Sequence, residues 1–183
     1  MSIPTQLPFE NRFPPEQLEA FQLIAGIVER EARHLQQTQQ RLITEKLDAA
    51  WVAGLETNLE LAERVEAFSS RFRRLQDTLG DKLLPRMAAL VGIRPAVPVE
   101  LLAQAERLEW INSADTWMDW RKLRNRLVHE YITDPAEFAS ALNHAIRAST
   151  ELIEAEQQIR RSGQRLGLLN LDPRSRTSRL ESR

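Results

Sequence analysis

The side chains best suited to chemistry lie in one short segment that contains Arg124 and, five positions later, His129. An imidazole titrates near neutral pH and can move a proton, whereas a guanidinium can neutralise charge that develops on a phosphorane. Together the two groups could cleave a phosphodiester through the adjacent 2′-hydroxyl. Such a reaction would require no metal ion, and the sequence predicts neither a metal site nor a cofactor.

The segment is rich in cations around Arg124. Arg121, Lys122, Arg124 and Arg126 fall within six residues that contain no acid. A run of charge on a helix is usually a solvated face, and this is the ordinary interpretation of Arg121, Lys122 and Arg126. The alternative is that these three side chains bind a polyanionic substrate, and we keep them as candidate substrate-binding residues.

On a helical wheel at about 100° per residue, the segment has an apolar arc. The arc consists of Trp117, Trp120, Leu123, Leu127 and Val128. Arg124 and Tyr131 fall inside it, and an unpaired guanidinium is costly to bury, so Arg124 should face a cleft, a subunit interface or an acidic partner. His129 lies roughly 140° from Arg124, so the two would converge only through the long Arg side chain, a frayed helix end or a second copy of the site.

Helical spacing of apolar residues extends over most of the chain, and no stretch alternates for long enough to predict a strand. The predicted helices run from Pro15 to about Lys46, from Asp48 or Asn58 to about Val91, from Pro98 to near Trp110, from Ala114 to about Tyr131, and from Pro135 past Ile159. Asn112 or Ser113 can cap the fourth helix and Asp134 the fifth, while Pro85 predicts a break or kink in the second. The expected fold is all-α, an up-and-down bundle of four to five helices.

The predicted domain limits are an N-terminal extension at residues 1–14, a helical bundle at 15–162 and a basic tail at 163–183. The tail is rich in Arg and Ser and contains Pro173, which predicts disorder. Residues 160–183 carry a net charge of +5 and the whole chain −1, so the remainder carries −6. An acidic bundle of this kind is not a general nucleic-acid binder, and RNA contacts would have to be local.

The absence of cysteine excludes disulfides and thiolate metal sites and predicts a cytoplasmic location. No apolar stretch approaches the roughly 20 residues that a membrane helix needs, so no membrane partner is expected. The other histidines, His34 and His144, lie far from the segment in sequence and are interpreted as structural or exposed.

The segment resembles the signature of HEPN domains, in which an Arg is followed by a polar residue, three further residues and a His. The segment reads Arg124-Asn125-Arg126-Leu127-Val128-His129-Glu130-Tyr131. The additional spacing from His129 to Tyr131 resembles the HepT branch of that family. The position of the motif near the end of the penultimate long helix fits as well, and the likeness in architecture covers roughly residues 15 to 160.

The resemblance implies a metal-independent endoribonuclease toxin that forms a homodimer, with two Arg/His pairs lining one cleft. By matching position, Arg124 would stabilise the phosphate, His129 would be the general acid/base and Asn125 would orient them. The implied partner is a minimal nucleotidyltransferase antitoxin, and Tyr131 would be the tyrosine that it modifies with AMP. Added bulk and negative charge at that position would block RNA.

Two alternatives to the ribonuclease remain at this point. The first is a non-catalytic HEPN subunit that binds the nucleotide or substrate of a nucleotidyltransferase. Proteins of this kind usually lack part of the Arg and His motif, which is complete here. The second is a structural helical dimer in which Arg124 makes an interface salt bridge and His129 has no role.

Overall fold

A computed structural model describes residues 12–43, 46–129 and 134–170, with the backbone alone for Val128 and His129. Its helices are α1 (Pro15–Gln40), α2 (Ala49–Ala53), α3 (Leu59–Asp77), α4 (Leu84–Leu90), α5 (Pro98–Arg107), α6 (Ala114–His129) and α7 (Pro135–Arg165). A 3₁₀ turn (Gly54–Glu56) follows α2, and a π-helical turn (Thr78–Leu83) joins α3 to α4. No strand occurs in these residues, so the all-α class is confirmed.

Side-chain caps mark the starts of α2, α3, α6 and α7, whereas α1 and α5 begin at a proline without a side-chain cap. The carboxylate of Asp134 accepts two backbone N–H groups at 2.8 and 3.2 Å, and Pro135 occupies the first position of α7, where no N–H is needed. Ser113 accepts one N–H at 3.1 Å at the start of α6. Asp48 and Asn58, which were alternatives for one helix start, cap α2 and α3 separately at 2.9 and 3.1 Å.

Helix ends were predicted less well, because buried apolar side chains continue beyond them. α1 ends at Gln40 rather than near Lys46, although Leu42 in the following turn is fully buried. α5 ends at Arg107, before the predicted end near Trp110. The prediction was late for the same reason, because Trp110 is buried although it is not helical. The chain reverses there through Glu109, whose φ of 56° is left-handed.

The C-terminal limit of the bundle also differs from the predicted boundary at residue 163. α7 continues to Arg165, and Leu168 beyond it is fully buried. The side-chain amide of Gln22 on α1 donates to the Leu168 carbonyl at 3.1 Å. The folded part therefore extends several residues further than predicted, while residues 1–11 and 171–183 lie outside the described residues.

The break or kink predicted at Pro85 takes the form of a π-helical turn just before the proline, and the helical run is not interrupted there. The π-helical turn Thr78–Leu83 precedes it, and Pro85 lies in the first turn of α4, where its missing N–H costs little. Gly80 in the π turn faces the ring of Trp117 on α6. A Cβ at Gly80 would lie 3.1 Å from Trp117 Cζ2, so the absence of a side chain lets α6 pack closely against this turn.

Long-range hydrogen bonds establish that neighbouring long helices are antiparallel. The Gln39 amide near the end of α1 donates to the Ile146 carbonyl near the start of α7 at 2.9 Å, whereas Gln22 near the start of α1 reaches Leu168. α1 also meets α3, where Arg71 donates to the His34 carbonyl at 3.3 Å. One continuous core joins the helices, which form the expected up-and-down bundle. Each described helix is either too short or too polar to span a lipid bilayer.

We expect Gly80→Leu to lower the free energy of unfolding by about 1–3 kcal/mol, because the added side chain overlaps the ring of Trp117. Leu has a higher helix propensity than Gly, so a loss of stability would come from the clash with Trp117 and not from the helix propensity of the new residue. Urea denaturation followed by circular dichroism measures the effect. The control is Gly54→Ala, where nothing lies within 4 Å of the new Cβ and no loss is expected. Equal stability of the two variants would contradict the close packing.

Candidate active site

α6 lies against the junction of α3 and the π turn through two successive ion pairs. Arg121 Nη2 donates to Asp81 Oδ1 at 2.6 Å, and Arg124 Nη1 donates to Asp77 Oδ1. Asp77 is the last residue of α3 and Asp81 lies in the π turn. The pairing order shows that α6 runs antiparallel to α3, so the end of α6 approaches the middle of α3.

Arg124 was expected to face a cleft, a subunit interface or an acidic partner, and the structure shows an acidic partner. That partner is Asp77 of the same chain, and the two side chains are 24% and 39% exposed. Arg124 Nε also donates to Asn125 Oδ1 at 3.3 Å. The guanidinium is therefore fixed between a carboxylate and an amide at the edge of the bundle, and part of its charge is already balanced.

The apolar arc of α6 provides the rigid support for this arrangement. Trp117, Trp120, Leu123 and Leu127 are all buried, as the wheel predicted. The rings of Trp117 and Trp120 are 5.5 Å apart between centroids and tilted by 48°. Since these residues anchor α6 along its whole buried face, the helix cannot rotate to change the direction of Arg124 without losing core contacts.

The remaining cations of the segment have their own surroundings. Arg121 pairs with Asp81, as described, and the exposed Lys122 pairs with Asp119 at 2.9 Å on the same helix. Arg126 is exposed. Because Arg121 and Lys122 already have carboxylate partners, a role for these three residues in substrate binding stays a prediction. The side chains of His34 and His144 are exposed.

His129 is the last residue of α6, and its backbone continues the α-helix without interruption. Its Cα therefore lies about 7.5 Å along the axis from that of Arg124 and roughly 140° around it. One copy of a regular helix does not place the two on one face, so convergence needs a second copy or the reach of the Arg side chain. The side chain of His129 and all of Tyr131 lie outside the described residues.

Beside the end of α6 is a cleft of about 280 Å³ that sequence reasoning missed. It is lined by Val65, Glu66, Ser69, Ser70, Arg73, Leu127 and Phe138, and so lies between α3, α6 and α7. A signal was available in the sequence, because the four polar residues of α3 follow the i, i+3, i+4, i+7 spacing of one helix face. Only the folded structure, however, places this face against the segment that carries Leu127.

Behind the π turn, α1 contributes a half-buried carboxyl group, Glu31. Burial raises the pKa of Glu31 above its ordinary value, although the Thr78 hydroxyl and the cations Arg74, Lys82 and Arg30 favour its charged form. Its Oε2 is buried and has no hydrogen-bond partner among the described residues. The charged form is therefore poorly accommodated beside the turn that follows Asp77.

Comparison of the chain with protein-family models, curated proteins and solved structures finds no match.

We expect Glu31→Gln to stabilise the protein at neutral pH but not in acid. The folded state holds the Glu31 proton more tightly than the unfolded state, so wild-type stability falls as pH rises from the ordinary value of 4.5 through the raised pKa. The substitution removes that loss. Melting temperatures of both proteins at pH 4 and pH 7.5 measure it, with Glu63→Gln, at an exposed position of α3, as the charge-matched control. A stabilisation that is equal at both pH values would contradict the proposed cause.

Proposed function

We propose that this protein is a metal-independent endoribonuclease of the HEPN type that acts as a homodimer. The observation that carries the proposal is the placement of Arg124 and His129 on the last turns of one rigid helix, with Arg124 held at the bundle edge by Asp77. The likeness of the segment to the HEPN signature and the all-α bundle support the same function.

In the proposed reaction, His129 removes the proton from a ribose 2′-hydroxyl, and the resulting oxygen attacks the adjacent phosphorus. The bond from phosphorus to the 5′-oxygen breaks, and that oxygen receives a proton from the protonated imidazole of His129, which restores the neutral base. Arg124 stabilises the charge of the phosphorane, and Asn125 holds its guanidinium through the contact at Nε. The products are a 2′,3′-cyclic phosphate and a 5′-hydroxyl.

The geometry of α6 supports the homodimer as part of this proposal. Because the backbone positions of Arg124 and His129 are about 140° apart around one regular helix, we propose that the His129 of one copy meets the Arg124 of the other across a shared cleft. In that arrangement, two copies would complete sites that one copy leaves open. The ion pair with Asp77 then acts before substrate arrives, by keeping the guanidinium in one orientation.

The proposal includes inhibition by a minimal nucleotidyltransferase antitoxin that attaches AMP to Tyr131. Tyr131 follows His129 by two residues, so a modification there adds a bulky anion next to the acid/base group. RNA is itself a polyanion and would be excluded by both volume and repulsion.

We expect Arg124→Ala and His129→Ala each to reduce cleavage of RNA by at least about 100-fold, because each removes one of the two groups that act on the phosphodiester. The measurement is the initial rate of cleavage of a labelled single-stranded RNA in the presence of EDTA. Arg94→Ala is the matched control, since it removes an exposed Arg in the loop after α4, far along the bundle from the end of α6. If both variants cleave like the wild type, the proposed function fails.

The ion pair of Arg124 with Asp77 lies within one chain and favours a second candidate, a bundle in which Arg124 is only structural. That candidate predicts that Arg124→Ala and Asp77→Ala lower the melting temperature by similar amounts and that His129→Ala changes nothing. Both candidates contain this ion pair, so cleavage and not the melting temperature separates them. Loss of cleavage in a fully stable His129→Ala supports the nuclease, whereas absence of cleavage by the wild type supports the structural bundle.

A further inference from the structure

The cleft between α3, α6 and α7 combines polar and apolar walls. Val65, Leu127 and Phe138 are buried and form an apolar floor. Ser69 and Ser70 are half-buried at its side, where their hydroxyl groups can both donate and accept hydrogen bonds. The volume of about 280 Å³ is close to the lower limit of roughly 300 Å³ for small-molecule sites. A site of this size suits one nucleotide unit.

Charge is separated along the cleft. Arg73 and Glu66 are both exposed and lie seven residues apart on α3, which places them about 10 Å apart along the axis. Unlike Arg121 and Arg124, Arg73 has no carboxylate partner within the described part of the chain. A cation at one end and a carboxylate at the other, with hydroxyl groups between them, follow the order of phosphate, ribose and base in a nucleotide.

We propose that this cleft binds one nucleotide of single-stranded RNA, with its phosphate on Arg73. The guanidinium can hold phosphate oxygens in a bidentate contact. Ser69 and Ser70 hydrogen-bond the ribose, including the 2′-hydroxyl that distinguishes RNA from DNA. The base lies on the apolar floor, and Glu66 accepts hydrogen bonds from N–H groups at its edge.

The polar wall of the cleft and Asp77, the partner of Arg124, lie on one face of α3. Asp77 follows Arg73 by one turn, about 6 Å along the axis, and Asp77 holds Arg124. A nucleotide bound at Arg73 would therefore extend its neighbouring phosphate towards Arg124. This inference rests on the proposed function for the identity of its ligand, and it assigns the contacts that position RNA there. It also explains how an acidic bundle could bind RNA locally.

The test is the affinity of a labelled 12-nucleotide single-stranded RNA, measured by fluorescence anisotropy in the His129→Ala background so that no cleavage occurs. We expect Arg73→Ala to weaken binding about tenfold or more. The slope of log affinity against log salt concentration should become shallower by about one, as expected for the loss of one phosphate contact. Arg94→Ala, with the same loss of charge at the far end of the bundle, should bind like its parent.

Ser69→Ala combined with Ser70→Ala should weaken RNA binding severalfold while leaving the weaker binding of DNA of the same sequence unchanged. Glu66→Gln should alter the ranking of the four homopolymeric RNAs without abolishing binding. Absence of RNA binding by the parent, or equal affinities of Arg73→Ala and its parent, would overturn the inference. Equal losses for Arg73→Ala and Arg94→Ala would also overturn it, because they would indicate a diffuse charge effect.

Failure of the nuclease and failure of the cleft are distinguishable. Binding that depends on Arg73, without any cleavage by the wild type, would support the cleft and overturn the catalytic proposal. Cleavage that depends on Arg124 and His129, with full activity and unchanged KM in Arg73→Ala, would support the catalytic proposal and overturn the cleft. An increase in KM with kcat retained supports both, since Arg73 would then contribute only binding.

Discussion

The ion pair between Arg124 and Asp77 is the interaction on which the candidate site depends. It joins α6 to the end of α3 at the point where the regular helix gives way to the π turn. Because both side chains are only partly buried, the pair contributes little to stability, and exposed pairs are typically worth about 0–1 kcal/mol. Its greater effect is orientation, since a guanidinium on a flexible side chain is held in one direction before any substrate binds.

The π turn creates the geometry of that pair. The turn contains Asp81 and begins directly after Asp77, and the two acids face Arg121 and Arg124 on α6. Gly80, between the two acids, leaves room for the Trp117 ring and so allows α6 to come close enough for both pairs to form. π turns are frequent at functional sites, where an extra residue redirects neighbouring side chains. Glu31 is half-buried behind this turn, and burial raises the pKa of its carboxyl group.

Local chemistry explains which parts of the fold could be predicted from the sequence. The caps Asp134 and Ser113 and the buried face of α6 depend on neighbours a few residues away, and these predictions are confirmed. The end of α1 was placed too late because Leu42 keeps the apolar spacing after the helix has ended.

Tertiary pairing explains what was missed. The wheel predicted that Arg124 would face a cleft, a subunit interface or an acidic partner, yet nothing in the spacing identifies Asp77, which lies 47 residues earlier in the chain. Arg73 and Ser69 were unremarkable positions on a predicted helix until α6 and α7 closed a cleft over them. The catalytic roles of Arg124, Asn125 and His129 and the modification of Tyr131 remain predictions from the motif.

The most direct test of the central claim is the chemical nature of the RNA ends that the protein produces in the presence of EDTA. Attack by the 2′-hydroxyl, with proton transfer by His129 and charge stabilisation by Arg124, must leave a 2′,3′-cyclic phosphate and a 5′-hydroxyl. Mass spectrometry of the fragments should find these ends with the wild type and not with His129→Ala. Fragments with 5′-phosphate and 3′-hydroxyl ends, or the same fragments from His129→Ala, would contradict the account.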